Sequence, residues 1–179
     1  MQDPAQQQKK IGATMLGVVW LGIFIILGIF FSDILDRQNN PNQSANTVSL
    51  SDGIKQLSLT RNHQGHYVAN GTINGQPVVF MLDTGATVVS IPLAIANRLN
   101  LKKGPEIVSQ TANGTTTSYI TRLEQIAIGD IRLRDIPASI NPGYKSEEIL
   151  LGMSFLRHLE FTQRGNTLTL RQYPGSRSE

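Results

Sequence analysis

Val78-Val79-Phe80-Met81-Leu82-Asp83-Thr84-Gly85-Ala86-Thr87 sets a single carboxylate at the end of an unbroken apolar run. Five consecutive apolar residues bounded by turn signals fit a well-buried strand, and Val88 to Ile91 resumes the apolar pattern beyond the turn. A turn that merely faces solvent has no need of such flanks; there Asp caps backbone N–H groups and Gly supplies an unusual φ. A carboxylate held in a desolvated cleft does need them. The tripeptide Asp-Thr-Gly is a weak signal by itself, so its surroundings decide.

Upstream, His66 to Ile73 and Gln76 to Leu82 flank Asn74-Gly75, the strongest short-range signal for a tight hairpin. Downstream, Pro92 suits the first position of a brief helix carrying Leu93, Ile95, Ala96 and Leu99. Ile107 to Thr111 and Thr115 to Leu123 flank a second Asn-Gly at Asn113-Gly114. Further strands are expected at Gln125 to Ile128, Ile131 to Ile140 and Thr167 to Gln172. The pattern predicts a mostly β domain with one or two short helices. So many short strands favour a small closed barrel over an open sheet with exposed edges. No internal repeat is visible, so the domain is present once.

A second apolar stretch, Ile149-Leu150-Leu151-Gly152-Met153-Ser154-Phe155-Leu156, follows Asp83 by about 67 residues. Together the two stretches resemble retroviral-type aspartic proteases, in which an apolar-apolar-Gly strand and a short helix pack beneath the Asp-Thr-Gly loop. The run Leu-Leu-Gly-Met-Ser-Phe-Leu is similar to that of the bacterial, single-span members of the family. The resemblance covers roughly Gly65 to Gln172.

The resemblance implies a retroviral-type barrel and an endopeptidase whose catalytic residue is Asp83. Its mechanism needs two carboxylates: one activates a bridging water, while the other, protonated, donates to the scissile carbonyl oxygen. The chain has one Asp-Thr-Gly, and about 130 residues without a repeat cannot hold two lobes. A two-fold homodimer brings Asp83 and its symmetry mate together, and the pair then shares one proton. Thr84 is expected to hydrogen-bond across the axis, Gly85 to let its N–H approach the carboxylate, and Ala86 to leave the cleft open. Leu150, Leu151 and Gly152 form the motif under the site. Ala112, Asn113, Gly114 and Thr115 occupy the flap position over a bound peptide. Two departures from retroviral members stand out: the tip has only one glycine, Gly114, and Thr87 replaces a frequent acidic residue. The implied substrate is a protein or peptide in extended conformation, bound by strand addition, and the chemistry calls for water but no cofactor.

The N-terminal third has a different composition. Between Ile11 and Ser32 there is no charged residue, a length able to cross about 30 Å of hydrocarbon as a helix. A cleaved signal peptide would show a shorter apolar core and a small-x-small site, which Ser32-Asp33-Ile34-Leu35-Asp36-Arg37 lacks. Lys9 and Lys10 precede the span, whereas Asp33, Asp36 and Arg37 follow it, so the positive-inside tendency keeps the N-terminus cytoplasmic. The expected layout is a cytoplasmic segment 1–10, a transmembrane helix 11–32, a polar tether 33–49 and a protease domain 50–179. In a bacterium the domain lies in the periplasm, held to the inner membrane. A second copy's tether is then among the candidate substrates.

Other chemistries find little support. The chain of 179 residues has no cysteine, which removes disulfides, thiol nucleophiles and thiolate metal sites. A net charge of +3 without a dense basic run, and few aromatic residues, argue against nucleic-acid binding. His63 and His66 lack a following glutamate in zincin spacing, so no metal is expected. Ser154 lacks the closing glycine of a nucleophile elbow and reads as structural. Two rivals to the enzyme remain open: a non-catalytic peptide- or protein-binding module on the same barrel, and a purely structural envelope protein.

Overall fold

The computed structural model describes residues 4–111 and 114–175. The chain divides into two compact units, Met1–Gln38 and Asn39–Glu179. The first is the helix α1 (Pro4–Asn39). Within it, Met15–Asn39 is long and apolar enough to cross a membrane. Trp20, Leu21, Phe24, Ile25, Phe30 and Phe31 are all exposed, so apolar residues surround the helix instead of lining one stripe. Such a helix has no core-facing side and suits lipid.

The second unit contains β1 (Thr47–Ser49), β2 (Lys55–Thr60), β3 (Val68–Ile73), β4 (Gln76–Leu82), β5 (Val89–Pro92) and α2 (Leu93–Arg98). It continues with β6 (Glu106–Thr111), β7 (Gly114–Ile128), β8 (Ile131–Asn141), β9 (Glu148–Leu151), α3 (Met153–Leu156), β10 (Glu160–Arg164) and β11 (Thr167–Gln172). Seven strands form one sheet in the order β3-β4-β9-β5-β8-β7-β6, and β3 also pairs with β7 through Thr72↔Ala127 and Ile73↔Ile126. That extra pairing closes six of the strands into the expected barrel and leaves β6 outside, attached only to β7. The Asn74-Gly75 hairpin forms as expected, with φ of 50° and 79° at its two turn residues. Both values are positive, as a two-residue turn that follows the strand twist requires.

Leu57, Leu59, Phe80, Ile91, Leu123, Ile126, Leu133, Ile149, Leu151 and Phe155 are completely buried and make up one continuous core. Three strands, β1, β2 and β10, were not expected from the sequence. They join β11 in a second, four-stranded sheet ordered β1-β2-β11-β10.

The tether expected over 33–49 is corrected. α1 continues through Asn39, and the following residues are folded onto the domain. Asn40 and Asn42 are buried. The Asn42 side-chain amide donates to the carbonyls of Thr60 and Val68 at 2.8 and 2.7 Å, and its oxygen accepts from the Thr60 amide at 2.7 Å. The Asn40 amide donates to the Asn70 side chain at 2.8 Å, while Asn62 donates to the Asn39 carbonyl at 2.9 Å. Asparagine-rich composition reads as disorder because it offers little apolar area. Here the amides earn their place by completing the backbone hydrogen bonding of two strand ends.

Candidate active site

The apolar run predicted from the sequence is β4, and its last residues hang the Asp83 loop from two neighbours. The Leu82 amide donates to the Tyr67 carbonyl at 2.9 Å, and the Asp83 amide donates to the Leu151 carbonyl at 3.2 Å. β4 and β9 run parallel, with Leu82 opposite Leu151, so the loop leaves the sheet where both strands end. Within it, the Gly85 amide donates to Asp83 Oδ1 at 2.8 Å. A Cβ on Gly85 would lie 3.2 Å from that oxygen, tighter than ordinary contact. Asp83 and Ala86 are half-buried, while Thr84, Gly85 and Thr87 are exposed. The chain thus aims one carboxylate outward, held by a backbone donor, at an open surface.

Beneath the loop, the first turn of α3 supplies N–H groups that have no partner inside the helix. The Met153 amide donates to the Ala86 carbonyl at 2.8 Å and the Ser154 amide to the Thr87 carbonyl at 3.0 Å. The Ser154 hydroxyl accepts from the Val89 amide at 3.0 Å and donates to the Pro137 carbonyl at 2.8 Å. It is buried and joins α3 to β5 and β8. Gly152 is wedged between these parts. A Cβ there would clash with the Val88 carbonyl oxygen and sit 2.6 Å from that of Ala86. Backbone cannot yield as a flexible side chain can. Gly152→Ala is therefore expected to destabilise the domain by about 2–4 kcal/mol through forced backbone displacement, lowering the thermal midpoint in a calorimetric scan. Among the expected motif residues Leu151 is buried, whereas Leu150 is half-buried on the other face of β9.

The expected flap is the end of the β6–β7 hairpin. Ala112 and Asn113 lie outside the described residues. Gly114 has a φ of +104°, a left-handed value that glycine accepts readily, and Thr115 is exposed. The hairpin's returning strand approaches the β8–β9 loop closely, since a Cβ on Gly143 would meet Thr116 Oγ1 at 2.8 Å.

Two residues near the loop carry no sequence motif. Tyr144, in the β8–β9 loop, has its hydroxyl pKa raised by burial and by the negative charges of Glu148 and Asp83, against the lowering effect of a hydrogen bond with Ser146. Glu148 has its carboxyl pKa raised by burial, partly offset by His66. Tyr144 also lines a cleft of about 690 Å³ between the start of α2 and the β8–β9 loop, and Asp83 is not among its walls. Among the described residues, no group of three or more His, Cys, Asp or Glu is placed to hold a metal ion.

Barrel, suspended Asp-Thr-Gly loop and supporting glycine together describe the retropepsin class. A family model described as "gag-polyprotein putative aspartyl protease" matches residues 69–158, half of the chain. The chain belongs to this family of retropepsin-like aspartic proteases. A curated relative from Sinorhizobium sp., named "Uncharacterized protein in cobV 5'region", is 31% identical over 131 residues. The alignment covers 71% of this chain, and the chain spans 56% of that relative's length. The crystal structure of a retropepsin-like aspartic protease from Rickettsia conorii has the same fold, with a TM-score of 0.55 and 24% identity over 66% of this chain and 91% of that one. An EIAV protease complexed with the inhibitor HBY-793 aligns at 20% identity and a TM-score of 0.45, covering 55% of this chain and 92% of that one.

Proposed function

We propose that this chain is a membrane-anchored aspartic endopeptidase, active as a homodimer in which each copy contributes Asp83. The observation that carries the reading is the loop itself. A half-buried carboxylate, held by the Gly85 amide in a family-matched domain, supports reading Asp83 as one half of a two-carboxylate site. Thr84, exposed beside it in the single chain, is available to bond across a two-fold axis. One Asp83 takes the proton of a shared water as it attacks the peptide carbonyl, and the other donates a proton to the carbonyl oxygen. The β6–β7 hairpin covers a peptide held in extended conformation.

The apolar span of α1 supports anchoring, and the lysines before it favour a cytoplasmic N-terminus with the protease domain in the periplasm. Two copies in one bilayer meet at high effective concentration, so a modest interface suffices for assembly.

The test uses the full chain in detergent micelles with casein as substrate, between about pH 4 and 7, with and without pepstatin. Cleavage blocked by pepstatin is expected, with activity per chain rising as protein concentration increases and levelling off once sedimentation shows dimers. Full activity in a sedimenting monomer, or a well-formed dimer that cuts nothing, refutes the reading. Peptide binding without cleavage in the second case identifies a binding module instead.

A further inference from the structure

Next to the Asp83 loop the barrel presents a half-covered face of mixed chemistry. Strand alternation turns Val78, Phe80, Ile149 and Leu151 into the core and leaves Val79, Met81, Glu148 and Leu150 half-buried on the opposite side. The parallel register sets Val79 opposite Glu148 and Met81 opposite Leu150. Three apolar side chains and one carboxylate therefore share a patch. The patch ends where Leu82 meets Leu151, whose carbonyl accepts from the Asp83 amide. Glu148 stands three residues before Leu151, about 10 Å along the strand, within reach of a substrate side chain one or two positions from the reacting bond. Tyr144, in the β8–β9 loop, feels the charges of both Glu148 and Asp83.

Glu148 has little reason to be there for stability. It is half-buried, burial disfavours its charged form, and His66 is the group that offsets this. Among the described residues, Glu148 makes no ion pair with lysine or arginine: Arg122 pairs with Asp135, and Arg171 with Glu160. A carboxylate on an apolar wall, without a lysine or arginine partner among the described residues, complements a side chain with a long methylene stem and a cationic head.

We propose that Glu148 is a specificity-determining residue, and that with Val79, Met81 and Leu150 it forms a subsite for a lysine or arginine side chain beside the bond presented to Asp83. This rests on the protease reading. The stem of the basic residue covers Val79, Met81 and Leu150, and its head pairs with Glu148. An apolar substrate residue at the same place would bury the carboxylate without a partner, and an acidic one would meet it with like charge.

The test uses the full chain in detergent micelles and a set of peptides that differ in a single residue, lysine, leucine or glutamate, placed in turn at each of the two positions on either side of the scissile bond. Cleavage is measured for the wild-type and Glu148→Gln chains, and binding by fluorescence anisotropy for Asp83→Asn with and without Glu148→Gln. At one position lysine is expected to exceed leucine by about 10-fold in both kcat/KM and affinity, with glutamate weakest, as a desolvated charge-assisted contact provides. Glu148→Gln is expected to shrink that ratio to within about twofold. Equal use of the three peptides, a lysine preference unchanged by Glu148→Gln, or binding of none of them overturns the subsite. Cleavage without a Glu148-dependent preference refutes the subsite and leaves the hydrolytic reading standing. Selective lysine binding without cleavage in the wild type does the reverse.

Discussion

Asp83→Asn is expected to lower kcat/KM by on the order of 10³-fold or more, the scale lost when a positioned proton acceptor is removed. Folding should survive. Asparagine has nearly the same shape, and its side-chain oxygen can still accept the Gly85 amide that now reaches Asp83 Oδ1 at 2.8 Å. The variant should therefore melt within a degree or two of the parent while cutting almost nothing. Mixing gives a sharper result. With equal amounts of variant and wild-type chains exchanging freely, about a quarter of the dimers carry two Asp83 side chains, since each two-fold site draws both members at random. Activity should fall to roughly half of that expected from the wild-type chains alone if only such dimers cut. Mixed samples that retain the wild-type rate per wild-type chain would falsify a shared site even if Asp83 proved essential.

Asn42→Ala is expected to destabilise the unit Asn39–Glu179 by about 3 kcal/mol, because three hydrogen bonds of a buried side chain vanish together and strand-end groups lose their partners. For a domain of this size that is a fall of roughly 10 °C in the thermal midpoint. The amide donates to the carbonyls of Thr60 and Val68 and accepts from the Thr60 amide, so it completes pairing at the ends of β2 and β3. Asn42→Asp keeps the shape and the acceptor but loses both donors, and it sets a charge among carbonyl oxygens; the loss should be at least as large. Gln43→Ala, at an exposed neighbour, should change little. Urea melts of residues 39–179 measure all three. A midpoint unmoved by Asn42→Ala would mean that the segment is not part of the cooperative fold.

The sequence made the barrel legible where chemistry repeats at short range. Asn74-Gly75 demanded a turn with positive φ, and the five apolar residues before Asp83 could hardly be anything but a buried strand. The wedge of Gly152 against the loop carbonyls was legible only as a resemblance, because its cause is the approach of two backbones distant in the chain. β2 did carry a signal in the alternation of Leu57 and Leu59, both fully buried. β10 carried almost none: Glu160-Phe161-Thr162-Gln163-Arg164 is exposed at every position, so no period of burial marks it. Glu148 and Tyr144 belong to no motif. Their place near Asp83 depends on the parallel register of β4 and β9, which hydrophobic patterning does not specify. The asparagines at 40 and 42 misled in the other direction, since polar side chains that satisfy strand ends resemble those that merely dissolve.

With α1 anchored as proposed, the buried asparagines bear on how long the folded unit stays attached to it. A peptidase threads its victim as a loose ribbon, stripped of internal hydrogen bonds, and residues 40–49 are bound into the sheets they adjoin. In the proposed dimer, this segment is thus no slack leash for either copy to sever. Cleavage within this strap becomes possible only during an opening that frees it, and its rate then follows the free energy of that opening.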